Sequence, residues 1–254
     1  MVSALLEVER LSISFGGIRA VSDVSFSVNE GEIYAIIGPN GAGKTTVFNL
    51  ISRLYDPDGG TITFAGRDML SLPGHKIPAA GIARTFQNIK LFDNASVLDN
   101  LMMGRYLHHR ANIAQQVFFT PFTKREKLAD RARVEEVIDF LELQRHRDTM
   151  VDGLPYGVKK VVELGRALAL DPKLLLLDEP ASGLSPEETD DLVFWIEDIR
   201  DELGITVLMI EHDMKLVAAV SDRVLAMNTG VVIAEDAPKA IQTHPEVVAA
   251  YLGA

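Results

Sequence analysis

The chain has 254 residues and a formal net charge of −11, which argues against a basic surface for nucleic acid. Hydrophobic residues make up 47% of the chain, enough for the core of one large domain, and the absence of cysteine excludes disulfides and thiolate metal sites. The longest stretch without charge, 111–123, is too short to span a bilayer, and the N-terminus lacks the pattern of a secretory signal.

The N-terminal part of the chain is predicted to form antiparallel strands. Apolar and polar residues alternate at 5–15 and again at 21–28, which is the period of strands with one exposed face. Gly16 and Gly17 supply the turn between the two runs. A second turn at 56–60 precedes a further predicted strand at 61–64.

The segment 38–46, GPNGAGKTT, matches the phosphate-binding pattern GxxxxGK[ST]. An apolar strand at 33–37 precedes it and a helix at 47–51 follows, which is the context that this pattern requires. Backbone N–H groups and the helix dipole favour a bound phosphate, which the Lys44 ammonium reaches, and the Thr45 hydroxyl is a ligand for Mg²⁺. The predicted nucleotide-binding residues are Gly38, Asn40, Gly41, Ala42, Gly43, Lys44, Thr45 and Thr46.

Residues 95–147 have the periodicity of helices, with apolar stripes at 97–102 and 134–143. Between the stripes lies a predicted insert or extended loop, 104–123, which has phenylalanines on both sides of Pro121. Two interpretations of these aromatic residues stay open. They pack the insert onto its own subdomain, or they form a contact surface for a partner.

The C-terminal part of the chain alternates helices with short apolar strands. Strands are predicted at 173–178 and 206–210, a hairpin at 224–234, and helices at 158–170, 190–203, 214–220 and the C-terminus. This alternation around a phosphate loop predicts an α/β fold with a mostly parallel sheet.

Two carboxylates lie at the end of the apolar strand 173–178. An aspartate at the carboxyl end of a buried strand lies where an open α/β sheet binds ligands, so Asp178 is predicted to orient Mg²⁺. Glu179 is placed to polarise a water for in-line attack on the γ-phosphate. Gln87 and His212 follow two other apolar segments and are candidates for the same site. No NKxD motif is present, which argues against GTP.

Together these residues resemble the ATP-binding cassette (ABC) ATPases over nearly the whole chain. The resemblance makes Gln87 the Q-loop glutamine, Glu179 the catalytic base and His212 the switch histidine, with a D-loop at 182–185. It implies a P-loop NTPase cassette with a RecA-like core sheet, an N-terminal antiparallel β subdomain and an α-helical subdomain. Residues 1–254 then form one ABC ATPase domain, with a nucleotide-binding core at 1–90 and 165–254 and a helical subdomain at 91–164.

The same resemblance implies ATP and Mg²⁺ as cofactors. Phe15 is expected to stack on adenine, and Thr45, Gln87 and Asp178 to hold the metal ion. Two such chains enclose two ATP molecules head to tail in this family. Gly157, within the signature motif, is therefore expected to contact the nucleotide bound by the second chain.

The signature motif departs from the family pattern LSGGQ, because this chain has LPYGV at 154–158. Pro155 removes both a hydroxyl and a backbone N–H that reach the γ-phosphate across the dimer in that family. Proline suits a helix start, so the helix dipole is expected to remain aimed at the phosphate. The hypothesis that follows is unequal ATP sites in a mixed dimer. The D-loop also departs, with Ser185 where an acidic residue is common.

Within the family, the chain is similar to LivG-type ATP-binding subunits of branched-chain amino-acid importers. RTFQNIKLF at 84–92, the insert 104–123, EPASGLSPEET at 179–189, IEHDMKLV at 210–217 and PEVVAAYLG at 245–253 carry this similarity. It implies a peripheral subunit on the cytoplasmic face of the inner membrane. The implied partners are a second ATPase subunit (the same chain or a paralogue), transmembrane permease subunits and, indirectly, a solute-binding protein.

Segment 88–101, after Gln87, is expected to carry the γ-phosphate signal to a permease. Leu91, Phe92 and Val97 are candidate apolar contacts there, unless they are buried in the helical subdomain. Alternative functions are import of urea or amides, export of lipopolysaccharide, or a soluble ABC ATPase of DNA repair or translation. The last class carries long coiled coils or two cassettes in one chain, and the sequence has neither.

Overall fold

The computed structural model of the protein describes residues 4–108 and 121–252, which divide into two compact units. Unit 1 comprises Met1–Gln87 and Lys173–Ala254, and unit 2 comprises Asn88–Pro172. The elements up to the end of the first part of unit 1 are β1 (Ala4–Phe15), β2 (Ile18–Asn29), β3 (Ile33–Ile37), α1 (Lys44–Ile51), β4 (Gly59–Phe64), β5 (Arg67–Asp68), α2 (Ile77–Ala80) and β6 (Ile82–Arg84).

Unit 2 then contributes α3 (Val97–Gly104), α4 (Pro121–Phe140) and α5 (Tyr156–Leu168). The second part of unit 1 contains β7 (Leu174–Asp178), α6 (Pro186–Asp201), β8 (Thr206–Ile210), α7 (Met214–Val220), β9 (Arg223–Asn228), β10 (Val231–Asp236), α8 (Pro238–Thr243) and α9 (Pro245–Leu252).

The predicted antiparallel strands form a sheet with the order β2–β1–β4–β5 in the described part of the chain. β1 and β2 pair antiparallel, and Gly16 and Gly17 make their turn with φ values of 56° and 86°. Side chains such as Leu6 and Val8 are buried, while Glu7 between them is exposed. The alternation seen in the sequence is therefore the alternation between the two faces of this sheet.

The larger sheet of unit 1 has the order β10–β9–β3–β8–β7–β6. β6, β7, β8, β3 and β9 run parallel to one another, and β10 pairs antiparallel with β9. Every residue of β3, β7 and β8 is buried, which explains their continuous apolar sequences. The carboxyl ends of these strands therefore meet at one edge, as the predicted parallel sheet requires.

One hydrophobic core lies between the two sheets of unit 1. Helix α1 contributes Val47, Phe48, Leu50 and Ile51 to it, all fully buried. Strands of both sheets contribute most of the rest, including Leu6 of β1 and Ile36 of β3. The helix that follows the phosphate loop is too short to be stable by itself. It is stabilised by burial of its apolar face.

Unit 2 is built from helices. Ser96 caps α3, its hydroxyl accepting the Asp99 N–H at 3.1 Å. The buried Arg105 guanidinium pairs with Asp130 of α4 at 3.0 Å and also with Asp171, so it ties the end of α3 to α4 and to the end of the unit. Among the helices described, none is long and apolar enough to cross a membrane.

Several predicted boundaries differ from the observed ones. The predicted C-terminal boundary of the loop 104–123 is wrong, because α4 already begins at Pro121. Residues 109–120, with Phe118 and Phe119, lie outside the described residues. Helix α6 begins at Pro186 rather than at 190, because Ser185 and Glu188 form a capping box and proline is pre-organised for the first helical position.

Candidate active site

The phosphate loop connects the buried end of β3 to the start of α1, so Lys44 and Thr45 lie in the first helical turn. Gly43 has φ of 98°, and a Cβ added there would lie 2.5 Å from the Ala20 carbonyl oxygen. A Cβ on Gly38 would collide with the Met227 carbonyl oxygen. Glycine is required at both positions because the backbone of a neighbouring strand lies too close to the loop for a side chain to fit.

The Lys44 ammonium lies over the loop and donates to the Gly38 and Pro39 carbonyl oxygens at 2.6 and 3.0 Å. Burial lowers the pKa of Lys44, while the carboxylates of Glu179 and Asp178 act in the opposite direction. No side chain caps the N-terminus of α1 in the described structure. A cation and uncapped helical N–H groups therefore converge on the same loop, which is the chemistry of a phosphate site.

Asp178, at the end of β7, is 3% exposed and accepts a hydrogen bond from the Arg84 Nη2 at 2.8 Å through its Oδ2. Its Oδ1 is buried and accepts no hydrogen bond from the part of the chain that the structure describes. A buried carboxylate oxygen without a partner is costly, and Mg²⁺ is bound by such oxygens. The residues therefore fit the predicted metal ion, with Thr45 exposed in the first turn of α1.

Arg84 was not identified from the sequence, although a charged residue ends the short apolar strand β6. Its Nη1 donates at 2.8 Å to both Asn49 Oδ1 and Ser52 Oγ on α1. The guanidinium also lies 5.6 Å from the ring centre of Phe48 and 5.1 Å from that of Phe86. Arg84 thus joins the helix that follows the phosphate loop to the aspartate of β7.

Glu179 has a backbone conformation that is unfavourable for its residue type. Its φ is 49°, in the left-handed region, and the residue precedes Pro180, where extended backbone is preferred. Its N–H donates to the Ile210 carbonyl at 2.9 Å, which holds the residue against the end of β8. The sharp turn places the carboxylate off the strand axis, beside the other predicted catalytic groups.

Gln87 and His212 both meet the Glu179 carboxylate. Gln87 Nε2 donates to Glu179 Oε2 at 2.7 Å, and His212 Nδ1 lies 4.0 Å from the same oxygen. The donation uses the Gln87 amide nitrogen and leaves its amide oxygen for a metal ion or water. The structure thus brings together the three residues predicted to be catalytic. A missed residue is Glu211, which is fully buried beside His212.

Phe15 ends β1 with its side chain partly exposed, and its ring packs edge-on against Tyr55 at a centroid distance of 5.2 Å. An edge contact leaves ring face available for a planar base. Tyr55 was missed by the sequence analysis, because the contact joins the end of β1 to the turn after α1.

The signature segment lies in unit 2, where Pro155 is the N-cap residue of α5 with φ of −54°. No side chain caps this described helix, Tyr156 is exposed and Gly157 is buried. In the segment after Gln87, Val97 is fully buried in unit 2 as the first residue of α3, which agrees with the alternative that it packs within the helical subdomain. Phe92 is 55% exposed and stays a candidate.

Comparison with known proteins identifies the class that this fold and site define. Residues 21–182 match the family model described as ABC transporter, and residues 231–254 match the one described as branched-chain amino acid ATP-binding cassette transporter. The chain belongs to the ABC transporter family of ATP-binding cassettes. It is accordingly an ATP-hydrolysing subunit with the α/β cassette fold, as the sequence resemblance predicts.

Individual relatives match over the full length. The high-affinity branched-chain amino acid transport ATP-binding protein BraF of Pseudomonas aeruginosa is 41% identical over 100% of this chain and 99% of its own length. LivG of Escherichia coli, described in the same words, is 38% identical over 100% and 99%. A crystal structure of an ABC transporter cassette in its ADP conformation has a TM-score of 0.86 at 31% identity, covering 99% of this chain and 100% of that one.

Proposed function

We propose that this chain hydrolyses ATP to drive the import of branched-chain amino acids, or of closely related solutes, through membrane permeases. The observation that carries the proposal is full-length identity of 41% and 38% to two proteins named for that transport. The match of residues 231–254 to a branched-chain amino acid cassette model supports the same cargo. The motifs at 84–92 and 210–217 agree with this group.

In this proposal the phosphates of ATP lie on loop 38–46, and Thr45 and Asp178, with Gln87 beside them, would hold Mg²⁺. The metal ion, when bound, neutralises charge on the β- and γ-phosphate oxygens. Asp178 Oδ1 is suited to this role because it is buried and accepts no hydrogen bond from the described residues. Phe15 stacks on the adenine ring.

Glu179 acts as the general base. Its carboxylate accepts a proton from water as the water oxygen attacks the γ-phosphorus in line, and the bond to the ADP oxygen breaks to give ADP and phosphate. Gln87 donates a hydrogen bond of 2.7 Å to Oε2 of this carboxylate, and His212 Nδ1 lies 4.0 Å from the same oxygen. The hydrogen bond from Gln87 therefore fixes the direction in which the base points.

The proposed assembly contains a second cassette, identical or paralogous, and two permeases at the cytoplasmic face of the membrane. A solute-binding protein delivers the cargo to the permeases. Gly157, at the start of α5, would contact the nucleotide of the second cassette. Phe92 is the candidate apolar contact for a permease, since it is exposed whereas Val97 is buried. The net charge of −11 supports no role for nucleic acid.

The test is uptake of labelled leucine by cells that express this chain together with its permease subunits and that have no other leucine importer. Glu179→Gln is expected to bind ATP normally but to lower hydrolysis and uptake by about 10²–10⁴-fold, the usual contribution of a general base. The control is Glu202→Gln, an exposed residue at the end of α6, which should behave as wild type. Hydrolysis at the wild-type rate in Glu179→Gln refutes the catalytic role. Uptake of urea instead of leucine refutes the cargo alone.

A further inference from the structure

Glu211 is a fully buried carboxylate that the catalytic roles above do not use. It follows β8 directly, and its N–H donates to the Ile36 carbonyl of β3 at 3.3 Å. Its side chain is 0% exposed, one residue before the exposed His212. Because burying a carboxylate is costly unless hydrogen bonds satisfy it, the partners of Glu211 indicate what it does.

Both carboxylate oxygens of Glu211 accept backbone N–H groups. Oε1 accepts from Ala181 at 2.8 Å, and Oε2 accepts from His212 at 2.9 Å and from Asp213 at 3.3 Å. Ala181 is two residues beyond Glu179 and begins the loop that leads into α6. One carboxylate therefore joins the loop that carries the proposed base to the loop that carries the proposed switch histidine.

The hydrogen-bond partners of Glu211 are all backbone donors. Three N–H donors converge on the group, and a carboxylate accepts all of them without offering a proton of its own. A glutamine of the same size would turn its NH₂ toward one set of N–H donors, either that of Ala181 or those of His212 and Asp213. The hydrogen bonds to one of the two loops would then be lost, and the side chain would no longer join them.

We infer that Glu211 is a positioning residue for ATP hydrolysis, which sets the backbone of His212 at a fixed spacing from Glu179. The inference rests on the catalytic roles proposed for His212 and Glu179. The His212 side chain is 59% exposed, so packing does little to hold its ring. The ring has its Nδ1 at 4.0 Å from Glu179 Oε2 and at 3.8 Å from Glu211 Oε2, so its position depends on the backbone that Glu211 holds and on the Glu211 carboxylate itself.

The first test compares Glu211→Gln with the matched control Glu32→Gln in the full chain assembled with its transporter subunits. Glu32 is also buried and also accepts a backbone N–H, from Asn29 at 2.7 Å, but it precedes β3 at the end away from the phosphate loop. Both changes are expected to lower the melting temperature. Only Glu211→Gln is expected to lower kcat, by about ten- to a hundredfold as for a misplaced catalytic group, with KM for ATP nearly unchanged. A wild-type kcat in Glu211→Gln overturns the inference.

A double-mutant cycle with His212→Ala separates positioning from a general structural effect. If Glu211 acts through His212, adding Glu211→Gln to His212→Ala changes kcat by no more than about twofold. A second full loss in that background overturns the inference. If His212→Ala hydrolyses ATP at the wild-type rate, the proposed role of His212 is refuted and the inference fails with it. If His212→Ala has a low kcat but Glu211→Gln has the wild-type kcat, only the inference is refuted. If Glu211→Gln does not fold, Glu211→Asp, which keeps the charge on a shorter side chain, enters the same cycle.

Discussion

Replacing Arg84 by methionine is expected to destabilise unit 1, because it leaves the buried Asp178 carboxylate without its partner charge. The pair is joined at 2.8 Å, with the two side chains 7% and 3% exposed. Methionine keeps an apolar stem between the Phe48 and Phe86 rings, so the loss is mostly that of the ion pair and its hydrogen bonds. Removing one partner of a buried ion pair costs about 3–5 kcal/mol, a large part of the total stability of a domain.

The double variant Arg84→Met with Asp178→Asn tests the origin of this cost. Asp178→Asn removes the charge that Arg84→Met would leave unpaired, so the double variant is expected to be more stable than the sum of the single changes by about 1–3 kcal/mol. Arg223→Met is a matched control. Arg223 also pairs with a buried glutamate, Glu32 at 3.0 Å, and also lies over a ring, but its side chain is 33% exposed and its loss should cost less.

The assay is thermal unfolding, measured by calorimetry without nucleotide, of five proteins: wild type, Arg84→Met, Asp178→Asn, the double variant and the Arg223→Met control. At about 2–4 °C per kcal/mol for a chain of this size, Arg84→Met should lower the melting temperature by about 10 °C. A melting temperature equal to that of wild type would refute the reasoning. So would a double variant that loses the full sum of the single losses, since the two charges would then not be coupled.

Two further substitutions test the nucleotide site and its partner surface. Lys44→Ala removes an ammonium that can donate to phosphate oxygens, so ATP affinity should fall by at least about tenfold in a fluorescent-nucleotide titration. The control is Lys239→Ala, a change at an exposed residue of α8, which should leave the affinity unchanged. Equal affinities of the two variants would show that Lys44 is not part of the site. Pro155→Ser restores a hydroxyl and an N–H at the N-cap of α5 and should raise the ATPase rate of the assembled transporter. An unchanged rate would refute the hypothesis of unequal sites.

The fold was predictable because its strongest signals are local. β3, β7 and β8 are buried on both faces, so each appears in the sequence as an unbroken apolar run. The phosphate loop has a fixed spacing of glycine, lysine and threonine between such a strand and a helix. Boundaries were less certain, since a cap such as Ser185 begins α6 before its apolar periodicity is visible.

The supporting residues of the site were not predictable, because their contacts join distant parts of the chain. Arg84 and Asp178 are 94 positions apart, and Ala181 and Glu211 are 30 apart. A single arginine or glutamate in one sequence gives no indication of such a partner. By contrast, Gln87, which lies 92 positions before Glu179, was a candidate because it follows an apolar segment, and the family resemblance then supplied its role.

Glu179 has a backbone conformation that its residue type disfavours, which indicates that the surrounding sheet stabilises this part of the site. A left-handed φ costs a non-glycine residue about 1–2 kcal/mol, and glycine would avoid this cost. The chain nevertheless has glutamate there, and the strain is compensated by the hydrogen bond to Ile210 and by the ladder between β7 and β8. Because Glu211 links the same turn to His212 through Ala181, loss of this link would let His212 shift relative to the proposed base. The strained turn at Glu179 and the buried carboxylate of Glu211 thus act together to keep the proposed base and His212 at a fixed distance.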